Sequence, residues 1–349
     1  MESFVDLERC LGSVPGNVVT QLARVDVGRG REELYRNQVP ALLTELADRA
    51  RVASITASSA LEGVVVPDLA RAAAIISGRA SALRTRSEQE LAGYRSALDY
   101  LFGTDGRPLN VGLLLHLHRE LFAQTNSAGG RFKESDNLVV DRSPDGQVEV
   151  RFVPVPAART EHVTVELIDR YRAAVAGGAH HPVLLVGLFA LDLLTIHPFD
   201  DGNGRVVRAL TNALLDDAAY TVGKYVSLEL LIAESADDYY ATLLASTHGW
   251  HERANDPWPW LSYFVGVLAR AYDRFEQGTA ADRTGTTKQE RVREYVTSHA
   301  PRIFRIADVR AALPGISDPT IRLVLEQLKQ EGRVRPDGTG RSAVWVRRS

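Results

Sequence analysis

A single cysteine, a single methionine and four tryptophans among 349 residues leave this chain few special-purpose side chains. One thiol, Cys10, cannot close an intrachain disulfide, so apolar packing must hold the fold; such scarcity suits a reducing cytoplasm. No apolar run approaches the roughly 18 residues that a membrane-crossing helix needs. No basic-then-apolar segment opens the sequence as a secretory leader would. Charge of one sign is scarce as well: 41 Lys and Arg against 44 Asp and Glu give a net −3. That balance excludes a general attraction to nucleic acid or to a membrane surface. There is no internal repeat and no low-complexity tract. The expected class is a cytoplasmic globular protein without membrane contact.

What is present is apolar and periodic. With 45% apolar and 24% charged residues the composition is that of an ordinary globular protein, and the length allows two or three domains. The first thirty residues, with Pro15, Gly16, Gly28 and Gly30, read as an irregular arm. From about Val39 helical spacing takes over through Leu42, Leu43, Leu46 and Ala50. Ala57–Leu61 reads as a short helix closed by Gly63. Further helical patterns are expected near 67–78, 87–103, 110–123, 162–176, 182–196, 205–218, 227–232, 235–248 and 257–275. Strand signals are few. Residues 137–141 and 148–153 flank Pro144-Asp-Gly, which predicts a hairpin.

Residues 277–287 are small, polar and aperiodic, and read as a linker. Beyond it three helical patterns (Lys288–His299, Ile306–Leu313, Pro319–Glu331) precede a ribbon from Arg333 that turns at Asp337-Gly338. Thirteen Lys and Arg against seven Asp and Glu give residues 285–349 a net +6, leaving −9 for residues 1–284.

One stretch carries chemistry: His197-Pro-Phe-Asp-Asp-Gly-Asn-Gly-Arg-Val-Val-Arg208. Successive N–H groups of Gly202-Asn203-Gly204 can form an anion nest, and the helix that follows opens on its positive end. Arg205 and Arg208, three apart on that helix, can share a face and grip phosphate oxygens. Asp201 is a hard oxygen donor suited to Mg²⁺, and His197 titrates near neutrality and can take a proton. Paired histidines elsewhere are poorer candidates. His180-His181 and His116-x-His118 are spaced too closely to converge on a metal and have no matching third ligand.

The twelve-residue string resembles the signature of the Fic family, HPFx(D/E)GNGRxxR, at every specified position. The resemblance implies a mostly α fold: a Fic-type helical core with one β-hairpin flap. Across roughly residues 35–275 it implies protein adenylyltransferase activity on Mg-ATP, giving AMP-protein and pyrophosphate. His197 would be the general base and Asp201 the Mg²⁺ ligand. Gly202, Asn203 and Gly204 would bind the α- and β-phosphates, and Arg205 and Arg208 the β- and γ-phosphates. Glu234-Ser-Ala-Asp-Asp-Tyr-Tyr240 resembles the family's segment near the adenine, with Tyr239 or Tyr240 stacking there or packing in the core. Gly130-Arg-Phe-Lys-Glu-Ser-Asp-Asn-Leu-Val resembles the approach to the flap, with Asn137, Leu138 and Val139 as target-pairing candidates by strand addition.

Ser58-Ser-Ala-Leu-Glu-Gly63 fits the family's inhibitory pattern (S/T)xxxE(G/N), so Glu62 would pair with Arg208 and block productive ATP binding. Its partners would be ATP and a target protein presenting a Ser, Thr or Tyr hydroxyl; a homodimer also suits the family. Removal of AMP, or both activities, is an alternative, as is a DNA-binding regulator with a Fic sensor core. The division expected is 1–104, an N-terminal helical region with the inhibitory motif; 105–276, the catalytic domain; 277–287, the linker; and 288–349, a small α+β unit resembling a winged helix. For that last unit a protein-contact role and a DNA-binding role both stay open.

Overall fold

The computed structural model describes residues 2–38, 40–103, 107–142, 148–283, 287–313, 316–337 and 344–347. The chain is mostly α. Before the hairpin lie α1 (Glu2–Val5), α2 (Leu7–Leu11), α3 (Gly16–Gln38), α4 (Pro40–Leu61), α5 (Leu69–Ile76), α6 (Arg86–Gly103) and α7 (Val111–Phe122). The hairpin strands β1 (Val139–Arg142) and β2 (Val148–Phe152) pair antiparallel, with a register irregularity between Val139 and Val140. Their turn, expected at Pro144-Asp-Gly, lies outside the described residues. The core then continues through α8 (Ala157–Gly177), α9 (Pro182–Ile196), α10 (Asn203–Asp217), α11 (Leu228–Ala233), α12 (Ala236–Thr247) and α13 (Trp258–Arg283).

The molecule is organised around α9. Its run Pro-Val-Leu-Leu-Val-Gly-Leu-Phe-Ala-Leu-Asp-Leu-Leu-Thr-Ile is apolar on every face, which marks a helix surrounded by others. Its one charged residue, Asp192, is fully buried and satisfied there. It accepts hydrogen bonds from Ser3 Oγ at 2.6 Å, Ser3 N at 3.2 Å and Trp250 Nε1 at 2.7 Å. Ser3 belongs to the segment expected to be an irregular arm, and that expectation is corrected: the first thirty residues are largely helical. Val18, Leu22 and Val25 recur at helical spacing and are buried. The glycines that suggested a loop serve packing instead. A Cβ on Gly28 would lie 2.5 Å from the Tyr272 ring, so the glycine lets α3 and α13 approach closely.

Two further boundaries differ from expectation. Ala57–Leu61 is the last turn of the 22-residue α4, closed by Gly63 at φ +72° as its chemistry suggested. Helix α13 runs to Arg283, so residues 277–283 of the expected linker are helical; Thr279, fully buried, returns its hydroxyl to Phe275 O at 3.0 Å. No helix among the described residues is long and apolar enough to cross a membrane.

The C-terminal unit has its own core, drawn from Val292, Phe304, Val309, Ile321, Val324 and Leu325 among others. Helix α14 (Lys288–Glu294) opens on a capping box between Thr287 and Glu290 and loosens into a π turn over Tyr295–His299. Helices α15 (Ile306–Ala312) and α16 (Asp318–Gln330) alternate with β3 (Ile303–Phe304), β4 (Val334–Asp337) and β5 (Val344–Arg347) in a sheet ordered β3-β5-β4. This is a small α+β unit of helices and one antiparallel sheet. The turn expected at Asp337-Gly338 falls partly outside the described residues. Arg291 pairs with Glu45 of α4, tying the unit to the helix that carries Ser58 and leads into Glu62.

Candidate active site

Helix α9 ends on His197, whose backbone is left-handed at φ +52° while its N–H still reaches Leu193 O at 3.1 Å. This conformation turns the chain out of the helix and directs the imidazole to a cleft of about 200 Å³. His197, Glu62, Val139, Gly204, Arg208 and Tyr240 are among its walls. Burial first, and then the Lys133 charge, push the His197 pKa down to about 4, against a smaller opposing pull from Glu62. The ring is therefore neutral at pH 7.

Loop 197–202 is clamped from outside the motif. Phe199, fully buried, stacks on His118 with centroids 3.8 Å apart and planes 8° from parallel. His118 Nδ1 accepts from Gly130 N at 3.0 Å, which puts the ring proton on Nε2, 3.2 Å from Asp201 O. Burial pushes this histidine down to about 4 too. Asn203 closes the loop from within: Oδ1 accepts from Phe199 N at 2.9 Å, and Nδ2 donates to Phe199 O at 2.8 Å. Gly202, at φ +79°, caps α10, and a Cβ there would meet Leu121 Cδ2 at 2.7 Å. Only glycine fits that turn.

The two motif arginines go different ways. Arg205 is 1% exposed; its Nη1 donates to Glu90 Oε2 of α6 at 2.6 Å, and its guanidinium lies over Phe122. Burial pushes the Glu90 carboxyl up, but Arg86 and Arg205 outweigh it and hold the pKa below its usual range. Arg208 turns to α4 instead. Its Nε donates to Ser58 Oγ at 2.9 Å, and Nη2 donates to Ser58 O at 3.0 Å and Glu62 Oε1 at 2.7 Å. Burial disfavours its charge, yet Glu62 more than compensates and raises its pKa. Ser58 and Glu62 thus both meet Arg208, 146 or more residues away in sequence.

Asp201 is half exposed, with Oδ1 accepting from Gly202 N at 2.6 Å and Oδ2 lying 3.4 Å from Arg86 Nη2. Tyr239 is almost wholly buried, edge-on to Tyr240 and Trp260, whereas Tyr240 is half-buried and donates its hydroxyl to Leu61 O at 3.1 Å. Of the hairpin candidates, Val139 lines the cleft, Leu138 is exposed, and Asn137 folds back toward His197. Its Nδ2 lies 3.2 Å from His197 Nδ1 and 3.0 Å from Phe199 O.

Sequence reasoning passed over three residues that the geometry makes prominent: His118, Glu90 and Lys133. In Gly130-Arg-Phe-Lys the buried cation is Lys133, while Arg131 is exposed and pairs with Glu134. Lys133 Nζ donates to Asn137 Oδ1 at 2.8 Å and Ile196 O at 3.3 Å, and burial pushes its pKa down to about 8. The only available signal was the i, i+4 pair Arg86 and Glu90, now an ion pair that also feeds Arg205.

Comparison with known proteins agrees with this geometry. Residues 108–215 match the Fic/DOC family. A protein adenylyltransferase Fic from Nematostella vectensis is 24% identical over 214 residues, covering 60% of this chain and 44% of that protein. The Drosophila ananassae protein of the same name is 27% identical over 134 residues, 38% of this chain and 25% of its own length. The chain thus spans less than half the length of these curated relatives. Among solved structures, a Fic family protein from Desulfovibrio desulfuricans superposes with a TM-score of 0.62 at 21% identity, covering 97% of both chains. A Fic domain containing signaling protein from Bacteroides thetaiotaomicron gives 0.59 at 21% identity, over 76% of this chain and 97% of that one. At such identities the structures speak for the fold alone. Family match, fold and motif geometry converge on one statement: this chain carries a domain of the Fic/DOC family.

Proposed function

We propose that the chain is a protein adenylyltransferase that moves AMP from Mg-ATP to a hydroxyl of a target protein and is held inactive by Glu62. The observation that carries this reading is Arg208, a buried guanidinium that borders the same cleft as His197, Gly204 and Tyr240 and is bonded to Ser58 and Glu62. A fixed, charged fork beside a helix N-terminus suits a terminal phosphate. Glu62 competes for it.

In the reaction the target's hydroxyl oxygen attacks the α-phosphorus, the bond to pyrophosphate breaks, and the hydroxyl proton passes to His197. That role needs a neutral ring with a bare Nε2. The Gly202–Gly204 turn and Arg208 would hold the leaving phosphates in line and offset their growing charge. Arg205, already paired with Glu90, would act there mainly by fixing the turn. Asp201 is the residue to hold Mg²⁺. It offers one half-exposed carboxylate, and no cluster of three metal-binding side chains occurs among the described residues. That donor set fits an ion carried chiefly by phosphate oxygens, whose charge it would neutralise. The edge of β1 from Leu138 to Val139 would receive an extended target segment.

On this reading residues 1–104 carry the restraint and 105–276 the chemistry, with 288–349 a separate contact unit. ATP labelled at the α-phosphate provides the test. The Glu62→Gly chain should label itself or a lysate protein where wild type does so feebly. Absence of labelling together with absence of ATP binding by calorimetry in Mg²⁺ would reject the proposal.

A further inference from the structure

The imidazole that must accept a proton is wired to keep one on the wrong nitrogen. His197 Nδ1 lies 3.2 Å from Asn137 Nδ2 and 3.3 Å from Asn203 Nδ2. Neither amide can be turned over to offer its oxygen. Asn137 Oδ1 is claimed by Lys133 Nζ, which can only donate; Asn203 Oδ1 is claimed by Phe199 N, which also only donates. Both amide nitrogens give a hydrogen to Phe199 O, which only accepts. Nδ1 therefore faces two donors and no acceptor. A neutral ring in that position carries its proton on Nε2.

We propose that Lys133 and Asn137 are positioning residues that select the Nε2–H tautomer of His197, so that the resting chain presents a proton donor to the cleft where AMP transfer requires an acceptor. This is a restraint on transfer separate from the Glu62–Arg208 pair. It acts on the proton, while Glu62 acts on the phosphate fork. Transfer requires the proton on Nδ1, and therefore a displaced or rotated Asn137. Asn137 lies two residues before β1, so movement of the hairpin as a target segment pairs with it is the natural release. Until then Nε2–H can only donate a hydrogen bond to a phosphoryl or ester oxygen, as neutral imidazoles do elsewhere.

The catalytic consequence rests on the transfer reading above; the tautomer itself does not. The test uses the full chain with ¹⁵N-labelled histidine and no nucleotide, the His197 signals being assigned among nine histidines by their loss in His197→Ala. Wild type should show a bare Nδ1 and a protonated Nε2. In Asn137→Asp, whose carboxylate only accepts, the pattern should invert. Lys133→Met, which frees Asn137 to rotate, should give a mixture. Placed in the Glu62→Gly background, Asn137→Asp should speed AMP transfer by roughly tenfold, within the range of general-base effects. A protonated Nδ1 in wild type would overturn the tautomer assignment even if no variant folds well. An inverted ring that transfers AMP no faster would overturn its role as a restraint.

Discussion

Two arginines three residues apart on α10 each pair with a glutamate, one from α6 and one from the turn that closes α4, yet the two pairs are built for opposite ends. Arg205 and Glu90 are 1% and 5% exposed, with Arg86 adding a second cation to the same carboxylate. Arg208 is as deeply placed at 6%, but its partner Glu62 is 29% exposed and sits in the last turn before Gly63. Removing either partner of a dry pair strands a charge, whereas a carboxylate at the rim can leave for water. The difference teaches that burial of the arginine says little; exposure of the glutamate decides whether a pair is structural or releasable.

The comparison can be broken in several ways. The largest effect concerns the imidazole that shares a cleft with Arg208: His197→Ala in the Glu62→Gly background should lower AMP transfer by about 10²–10⁴, measured with labelled ATP. An unchanged rate would remove the ring from the chemistry. Next, Glu90→Ala should destabilise the chain by about 3–5 kcal/mol in denaturant melts, because Arg205 stays buried without its partner. Glu62→Gly should cost less than Glu90→Ala, because Glu62 is 29% exposed and Arg208 keeps Ser58 Oγ and Ser58 O as acceptors, while raising transfer. Equal losses of stability would erase the distinction.

Acidity offers a subtler probe. Transfer by Glu62→Gly should stay level from pH 7 to 5 and fall only as His197 is protonated, at or below the wild-type value of about 4, since the variant loses the upward pull of Glu62. For stability the sign is the same. The unfolded chain protonates His197 and His118 near 6.5 while the folded chain keeps both neutral to about 4. Stability present above pH 6.5 is therefore lost as pH falls toward 4, and thermal melts should show it. The smallest effect is expected from Ser58→Ala. It removes one acceptor from Arg208 Nε at a cost of about 1 kcal/mol, and should loosen the Glu62 pair enough to raise basal labelling a few-fold.

How much of this was legible follows the sequence distance over which each feature is built. His197 to Arg208 is contiguous, so residue type and spacing point to the proposed phosphate site before any fold is known. Ser58 and Glu62 are four apart, the spacing of one helix face, so their common aim was readable, though the partner came from resemblance. Glu90, Lys133 and His118 gave no such contiguous signal, since each meets the motif across a long stretch of chain, through Arg205, Pro198 and Asp201 respectively. Gly28 misled because chain-breaking and close helix packing use the same residue. Residues 277–283 misled because a polar, aperiodic stretch can still be carried as the continuation of a well-packed helix such as α13.

One close approach has a reach beyond its size. A Cβ on Gly204 would sit 2.1 Å from Glu62 Oε1 and 2.8 Å from Arg208 Nη1. The smallest possible side chain would evict the carboxylate from its place beside Arg208, and under the proposed function it would also crowd the backbone against which a phosphate would lie. On that reading drift at this position would leave a protein at once ungoverned and impaired, and glycine is where safety and competence coincide.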